Sequence, residues 1–528
     1  MSCDGKGMVL SMQKFQKKQL LEIMTSLHAL HQNSREKLEQ KEYEAVQTAL
    51  ADCQEAAIQI GEVIEQIEGT GTGAVAHLEQ YCESIYQISI QVKEISAKKA
   101  YKNLEVNLIK AENAVRHMPE KIEAVFLPYK SSMWDSLESV WKAADEDPRC
   151  VAYVIPIPYY ERNPDGSFKA EHYEGDAYPD YVPVTYYKDY NFEQHHPDVI
   201  FIHNPYDKFN KVTCVHPFFF SDNIQKYTDN LGYVPYYVVP GNIPDTLALT
   251  FGALNADIVF VQSQRIRKQY IKIFMDNINH IEHKVWEEKI VAMGSPKTDK
   301  IIALQNAEEK IPNEWKELIK KRKVCFFNTN VSLLLHNNEY FVQNLYRIFQ
   351  IFEEYKTDFV VLWREHPLTM ETINSMQPGL LDDYLELKEK FKEKRWGILD
   401  TTSDPHMAMA ISDCYFGAGG SLVTIYSVTG KPMMITSYQY PYGISEEKIA
   451  KEDFYDSIAN RSYYKEEHIN SLQLFLENFE EICTFKEHRL KVITRCLDNL
   501  DGSVGRKIYE YTIGEDSDHK NGDSDKFQ

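Results

Sequence analysis

The stretch "FVVLWREHPL", Phe359 to Leu368, decides the fold. Its first five residues are apolar without alternation, the pattern of a strand buried on both faces of a parallel sheet. The run ends abruptly in Arg364, Glu365 and His366, and Pro367 blocks its continuation. Open parallel sheets bind ligands beyond the carboxyl ends of their strands, so Arg364 and His366 are candidate catalytic residues. Arginine offers a planar donor fork for phosphate oxygens. Histidine exchanges a proton near neutral pH. The competing reading is an ion pair between Arg364 and Glu365, with the histidine capping a helix.

Similar runs lie on either side. "KIVAMGSPKTDK" (from Lys289), "KVCFFNTNVS" (from Lys323), "WGILDTTSD" (from Trp396), "SDCYFGAGGS" (from Ser412) and "KPMMITS" (from Lys431) each read as a strand that turns polar, with helical stretches between several of them. An earlier series contains "AVFLPY" (from Ala124), "CVAYVIPI" (from Cys150), "DVIFIHNPYD" (from Asp198), "YVPYYVVPG" (from Tyr233) and "ADIVFVQS" (from Ala256). Two successive series imply an α/β fold of two facing, doubly wound Rossmann-like domains, at 119–288 and 289–513. The segment from Pro158 to Tyr190, rich in Tyr, Pro, Asp and Gly, reads as a long irregular insertion.

Residues 1–118 differ in texture. Apolar residues at three- and four-residue spacing (Leu20, Ile23, Leu27 and Leu30; Val46 through Ile67; Leu78 through Ile95) predict a helical hairpin or coiled-coil-like region. "GTGTG", Gly69 to Gly73, is the turn between two of the helices. Such a region suits assembly, with a homo-oligomer through these helices as the expectation. The tail 514–528 is polar and acidic and is expected to be disordered.

Bulk composition sets limits. The chain has 528 residues, too many for one core, and its hydrophobic content of 43% suits globular domains. A net charge of -21 argues against a nucleic-acid partner, which needs a basic footprint. Nine scattered cysteines with no C-x-x-C pair fit a reducing compartment. The absence of a long apolar window adds to a cytoplasmic expectation, with peripheral attachment to the inner face of the membrane left open.

Other strand ends carry further candidates. Gly419, Gly420 and Ser421 form a glycine turn opening a helical pattern, where backbone N–H groups meet an anion, and Thr424 adds a hydroxyl. Lys297 follows the glycine turn of "GSPKTDK", and Asn328 and Thr329 close another strand. His203 and His216 are the histidines of the first α/β half placed at such positions. No histidine pair shows metal-site spacing, so no metal site is expected. The glycine cluster is equally a packing turn, and for either histidine an ordinary core or loop role is the favoured reading.

The ordered set "GSPKTD", "CFFNTNVS", "LWREHP", "SDCYFGAGGS" and "GKPMMI" resembles the C-terminal half of the CDP-glycerol:poly(glycerophosphate) glycerophosphotransferases, which extend wall teichoic acids. The resemblance implies the two-domain glycosyltransferase-B fold with the nucleotide donor held mainly by the second domain. It implies a phosphotransferase that moves glycerol phosphate, or a similar alcohol phosphate, from a CDP-alcohol to a polyol-phosphate or glycan acceptor that can be lipid-linked. Arg364 and His366 match the family's R-x-H-P motif, Ser421 its last turn serine, and Lys297 the basic residue after its G-x-P turn. No cofactor is required by this chemistry, with Mg2+ left open. The chain departs from the family at Ala418, where an aspartate is usual, and at Gly420, where a serine is usual. It also has no counterpart of the W-H-G-T-P-x-K segment, a place in which His203 or His216 would have to substitute. A sugar-nucleotide-dependent glycosyltransferase or epimerase of the same fold, and a non-catalytic scaffold of a polymer-assembly complex, are the alternatives.

Overall fold

The computed structural model describes residues 12–163, 165–209, 213–239, 241–278, 280–305, 307, 310–337, 340–402, 404–437, 460–463 and 466–514. The acidic tail beyond Gly514 lies outside them. The strands are β1 (Ile122–Leu127), β2 (Cys150–Val154), β3 (Tyr159–Arg162), β4 (Phe168–His172), β5 (Val199–Ile202), β6 (Thr213–Val215), β7 (Asn230–Tyr233), β8 (Ile258–Val261), β9 (Ile290–Ala292), β10 (Lys323–Asn328), β11 (Phe359–Arg364), β12 (Gly397–Asp400), β13 (Cys414–Ala418), β14 (Met433–Ser437) and β15 (Asn460–Tyr463).

Two parallel six-stranded sheets organise the α/β part, in the orders β2-β1-β5-β7-β8-β9 and β12-β11-β10-β13-β14-β15. The second is the order of a dinucleotide-binding sheet, with its reversal between β10 and β13. All six residues of β11 are buried, as the unalternating apolar run of Phe359 to Trp363 requires. Trp363 is packed among Phe327, Phe349, Tyr384 and Phe391 on one face of the sheet. The expected fold of two doubly wound α/β domains behind a helical N-terminal region is the observed one.

Three details differ from the sequence reading. Ile290–Ala292, expected to open the second domain, pairs with β8 and closes the first sheet, so the crossover falls after Gly294. The strand expected at Tyr233–Gly241 lies earlier, at Asn230–Tyr233, because Pro235 cannot donate to a ladder. The segment expected to be irregular holds the antiparallel pair β3/β4, joined by β6 into a small three-stranded sheet. Its turn is carried by Asp165, which accepts from the backbone N–H and hydroxyl of Ser167 at 2.9 and 2.6 Å.

The N-terminal helices are α1 (Lys14–Glu39), α2 (Tyr43–Glu68), α3 (Gly73–Ile90) and α4 (Ala97–Arg116). Each packs on the next and α1 packs on α4, closing a four-helix bundle with its own core. Gly69–Thr72 make the turn that "GTGTG" announces, and Thr72 caps α3 by accepting from Val75 N–H at 3.3 Å. Ile23 and Val63 of the expected seams face solvent, and Met24 and Ile64 take the inner positions. The buried residues of α1, Lys17, Leu20, Met24, Leu27, His31, Ser34 and Leu38, step by alternating threes and fours, a 3.5-residue repeat that α3 shares. Among the described residues no helix is long and apolar enough to cross a membrane.

The chain end returns to the first domain. The helix Val504–Thr512 packs on the helix Glu138–Glu146, and Asp299 accepts from the Val504 and Gly505 N–H groups at 3.2 and 2.8 Å. The two α/β domains are thus strapped together at their boundary.

At the reversal of the second sheet, β10 and β13 pair so closely that a Cβ on Gly417 would lie 2.1 Å from the Asn328 carbonyl oxygen. Gly417 also has φ +137. Gly417→Ala is expected to destabilise the second domain by about 3 kcal/mol or more in urea unfolding, because both the contact and the backbone are strained. Stability equal to the parent would show that the strands can part without cost.

Candidate functional site

The crevice of a doubly wound sheet opens where the strand order reverses, here between the ends of β10 and β13. β10 runs out through Asn328, Thr329 and Asn330, and β13 through Ala418 into Gly419, Gly420 and Ser421. Asn330 bridges the two ends. Its Oδ1 accepts from Leu333 N–H at 2.8 Å, and its Nδ2 donates to the Gly419 carbonyl at 3.3 Å. Sequence reading passed over Asn330; its position just before the helix Val331–Asn337 is the N-cap signal that points to it.

Gly420 and Ser421 are exposed on the open side of this turn. A Cβ on Gly420 would meet nothing within 4 Å, although its φ of +156 favours glycine. Ser421 starts the short helix Ser421–Ser427. Thr424, on the next turn of that helix, is fully buried, and its hydroxyl has no hydrogen-bond partner among the described residues. Asn328 and Thr329 brace the strand ends from within: Asn328 Nδ2 donates to the Tyr415 hydroxyl, and Thr329 Oγ1 accepts from Trp363 Nε1, both at 3.3 Å. Lys431, of the G-K-P segment, donates to the carbonyls of Ala410 and Ser412 at 2.6 Å, and burial lowers its pKa to about 8.

The end of β11 divides its three polar residues among different partners. Arg364 is buried and its Nη1 donates to Asp400 Oδ2, at the end of β12, at 2.6 Å, and to Thr402 Oγ1 at 3.3 Å. Glu365 turns the other way, to the Tyr384 hydroxyl and to Lys388 at 2.6 Å. The Arg364–Glu365 pair weighed from the sequence is therefore not the one formed. His366 is half-buried, and its Nδ1 accepts from Leu368 N–H at 3.1 Å. That bond leaves the proton of the neutral ring on Nε2. Burial lowers the His366 pKa and favours the neutral form.

A second polar assembly joins the domains. Lys297 Nζ lies 2.5 Å from Asp135, and the other Asp135 oxygen lies 3.5 Å from His406 Nε2. His406 Nδ1 is 2.6 Å from Asp404, and Lys300 bridges Asp404 and Glu138, both at 2.8 Å. Burial opposes ionisation of Asp404, but His406 and Lys300 outweigh it and hold the carboxyl well below the usual carboxylate range. Asp135, Glu138, Asp404 and His406 were not singled out from the sequence, since nothing in their local spacing marks them.

In the first domain, His203 is wholly buried just beyond β5. Its Nε2 accepts from Tyr129 N–H at 2.8 Å, which puts the ring proton on Nδ1, 2.8 Å from the Ser136 hydroxyl oxygen. Burial, and secondarily the nearby Lys297 charge, pushes its pKa down to about 3. His216 caps a short turn through Nδ1, which accepts from Phe218 N–H at 3.2 Å. The structure thus gathers the Gly419–Ser421 turn and Asn330 at the strand-order reversal. Lys297 and His203 are held in the domain boundary, and Arg364 is tied to Asp400.

No family model matches the sequence, and no curated protein matches it. Solved structures with a similar course of chain include the wall teichoic acid polymerase TagF, at 12% identity over 85% of this chain and 99% of that chain, with a TM-score of 0.47. A UDP-N-acetylglucosamine 2-epimerase matches at 12% identity over 77% of this chain and 99% of its own, also with a TM-score of 0.47. The UDP-GlcNAc 2-epimerase from Neisseria meningitidis, bound to UDP-GlcNAc, matches at 10% identity over 74% and 99%, with a TM-score of 0.46. These likenesses describe the course of the chain, and the chemistry of the site rests on its own residues.

Two predictions follow from these contacts. Asp400→Ala leaves a buried guanidinium without its carboxylate and is expected to cost about 3 to 5 kcal/mol of stability by denaturant titration. A cost under about 1 kcal/mol would mean that the guanidinium is solvated or paired elsewhere once the carboxylate is gone. His203 binds its proton only near pH 3 when folded, but near 6.5 when unfolded. Between those values the unfolded chain carries the extra proton, so stability falls as pH drops, by up to about 1.4 kcal/mol per pH unit. His203→Gln keeps an acceptor for Tyr129 N–H without titrating, and its stability should fall less steeply from pH 6.5 downwards. Identical slopes for parent and variant would exclude His203 as the source.

Proposed function

We propose that the chain is a nucleotide-dependent phosphotransferase whose donor occupies the crevice between the ends of β10 and β13. The observation that carries this reading is the exposed Gly419–Ser421 turn, braced by Asn330, at the strand-order reversal of the second sheet. The ordered motifs of the second domain make a CDP-alcohol, and CDP-glycerol in particular, the donor of choice. The acceptor is a hydroxyl of a polyol phosphate or glycan.

In the proposed reaction the acceptor oxygen forms a bond to the β-phosphorus of the donor. The bond from that phosphorus to the bridging oxygen breaks, and CMP leaves with the electron pair. The acceptor hydroxyl loses its proton to neutral His366. Turn N–H groups and the Ser421 hydroxyl stabilise the charge that grows on the phosphate oxygens. Arg364 serves by holding the end of β11, and hence His366, against Asp400. Thr424, Asn328 and Thr329 support the turn and strand ends rather than meet the donor. His216 is open to an acceptor-side role, whereas both His203 nitrogens are engaged within the fold. The reaction as written has no step that requires a metal, and activity with EDTA against activity with added Mg2+ tests that point.

Calorimetric titration with CDP-glycerol, CDP-ribitol, CDP-choline, UDP-sugars and CMP tests the donor. CDP-alcohol binding without UDP-sugar binding is expected, and the reverse would favour a sugar-nucleotide enzyme. Ser421→Ala is expected to weaken donor binding by about 1 to 3 kcal/mol, the range for a hydrogen bond to a charged group. His366→Ala is expected to lower kcat by about 100-fold. Because burial lowers the His366 pKa, the acid limb of kcat/KM should lie below that of an ordinary histidine, and it should vanish in the variant. Full activity in folded His366→Ala protein would remove the histidine from the mechanism.

A further inference from the structure

The four-helix bundle holds a polar cluster that the nucleotide crevice does not use. His28 and His31 lie three residues apart on α1 and share one face. Glu105 and Glu112, two turns apart on α4, meet them across the α1/α4 interface. His28 Nδ1 is 3.0 and 2.9 Å from the two Glu105 oxygens, and His31 Nδ1 is 2.7 Å from one of them. One ligand atom from each of His28, His31 and Glu105 falls within 4.8 Å of the others. The outer ring nitrogens are held as well. His31 Nε2 is 2.6 Å from the Tyr81 hydroxyl of α3, and His28 Nε2 is 3.3 Å from Glu112.

We propose that His28, His31 and Glu105 bind a divalent transition-metal ion of the zinc class, which pins the first helix of the bundle to the fourth. Two imidazoles and a carboxylate are a donor set that zinc accepts, with bonds of about 2.0 to 2.2 Å. Tetrahedral bonds of that length place ligand atoms about 3.3 Å apart. The two imidazole–carboxylate separations, 2.7 to 3.0 Å, need open by only a few tenths of an ångström, and the two imidazoles offer ligand atoms within 4.8 Å of each other. His28 is half-buried, so a fourth position faces the bundle surface and takes water.

The surroundings match what such ligands need. Coordination through Nδ1 puts the proton of each ring on Nε2, where it must find an acceptor. The Tyr81 hydroxyl accepts it from His31, and the Glu112 carboxylate accepts it from His28. The cluster is also costly without a purpose. His31 and Tyr81 are wholly buried in a largely apolar core, where leucine would pack without polar atoms to satisfy. The alternative is a metal-free hydrogen-bonded cluster that fixes the pairing of α1 with α4.

The experiment uses the untagged full-length chain, stripped with chelator. Zn2+ is titrated by calorimetry, and Co2+ serves as an optical probe. One ion per chain, a visible Co2+ absorption band and a rise in Tm with Zn2+ are expected. Glu105→Gln and His28→Asn should each weaken Zn2+ binding by about 100-fold or more, and Tyr81→Phe by about tenfold. Circular dichroism establishes that each variant is folded. If Glu105→Gln does not fold, His28→Asn, at a half-exposed position, carries the comparison. Failure of the parent to retain an ion, or Zn2+ affinity undiminished in folded His28→Asn, would overturn the proposal in favour of the metal-free cluster.

Discussion

The approach of β13 to β10 is the constraint on which the second α/β domain depends. Gly417 faces the Asn328 carbonyl across a gap that admits no side chain. That proximity lets the sheet reverse its strand order and continue through β14 and β15 on the far side. The two strand ends then stop side by side, and Asn330 can cap one helix while reaching the turn that begins the next. The crevice is thus a consequence of how tightly two strands pack, rather than of any one polar residue.

Arg364 illustrates how a strand end is stabilised before it can act. Its guanidinium is neutralised by Asp400 from the neighbouring strand in register, so the end of β11 is fixed to the end of β12. Glu365 is drawn to the opposite side by Tyr384 and Lys388. His366 is left as the residue of the three with a ring nitrogen outside these ties. A buried pair of this kind contributes little net stability compared with an apolar pair, but it dictates where each neighbouring side chain must point.

The boundary between the α/β domains is charged, in contrast to the cores on either side. Asp135 and Glu138 reach from the first domain, Lys297 and Lys300 from the helix Lys297–Leu304 that follows the crossover, and Asp404 and His406 from the second domain. The C-terminal helix adds a strap by returning to the first domain and placing its N-terminal amides on Asp299. Polar contacts of this sort are compatible with relative motion of domains in a way that a large apolar interface is not. The N-terminal bundle stands apart from this logic, with a core of its own.

The sequence by itself determined most of the elements, the small sheet β3/β4/β6 excepted. Unalternating apolar runs such as Phe359 to Trp363 predict buried parallel strands, and the position of polar residues at their ends predicts where a ligand would sit. The helical texture of the first 118 residues was equally plain. Tertiary structure decided what periodicity does not carry. It assigned Ile290–Ala292 to the first sheet, because a strand joins whichever edge offers an unpaired ladder. It gave Arg364 to Asp400, 36 residues away, and not to adjacent Glu365, whose side chain leaves the strand on the opposite face. It buried His203 with both nitrogens satisfied, and it brought His31 to Glu105 across 74 residues of chain. Local patterning specifies which face of an element is buried, whereas the partner on that face is chosen by packing between segments far apart in the chain.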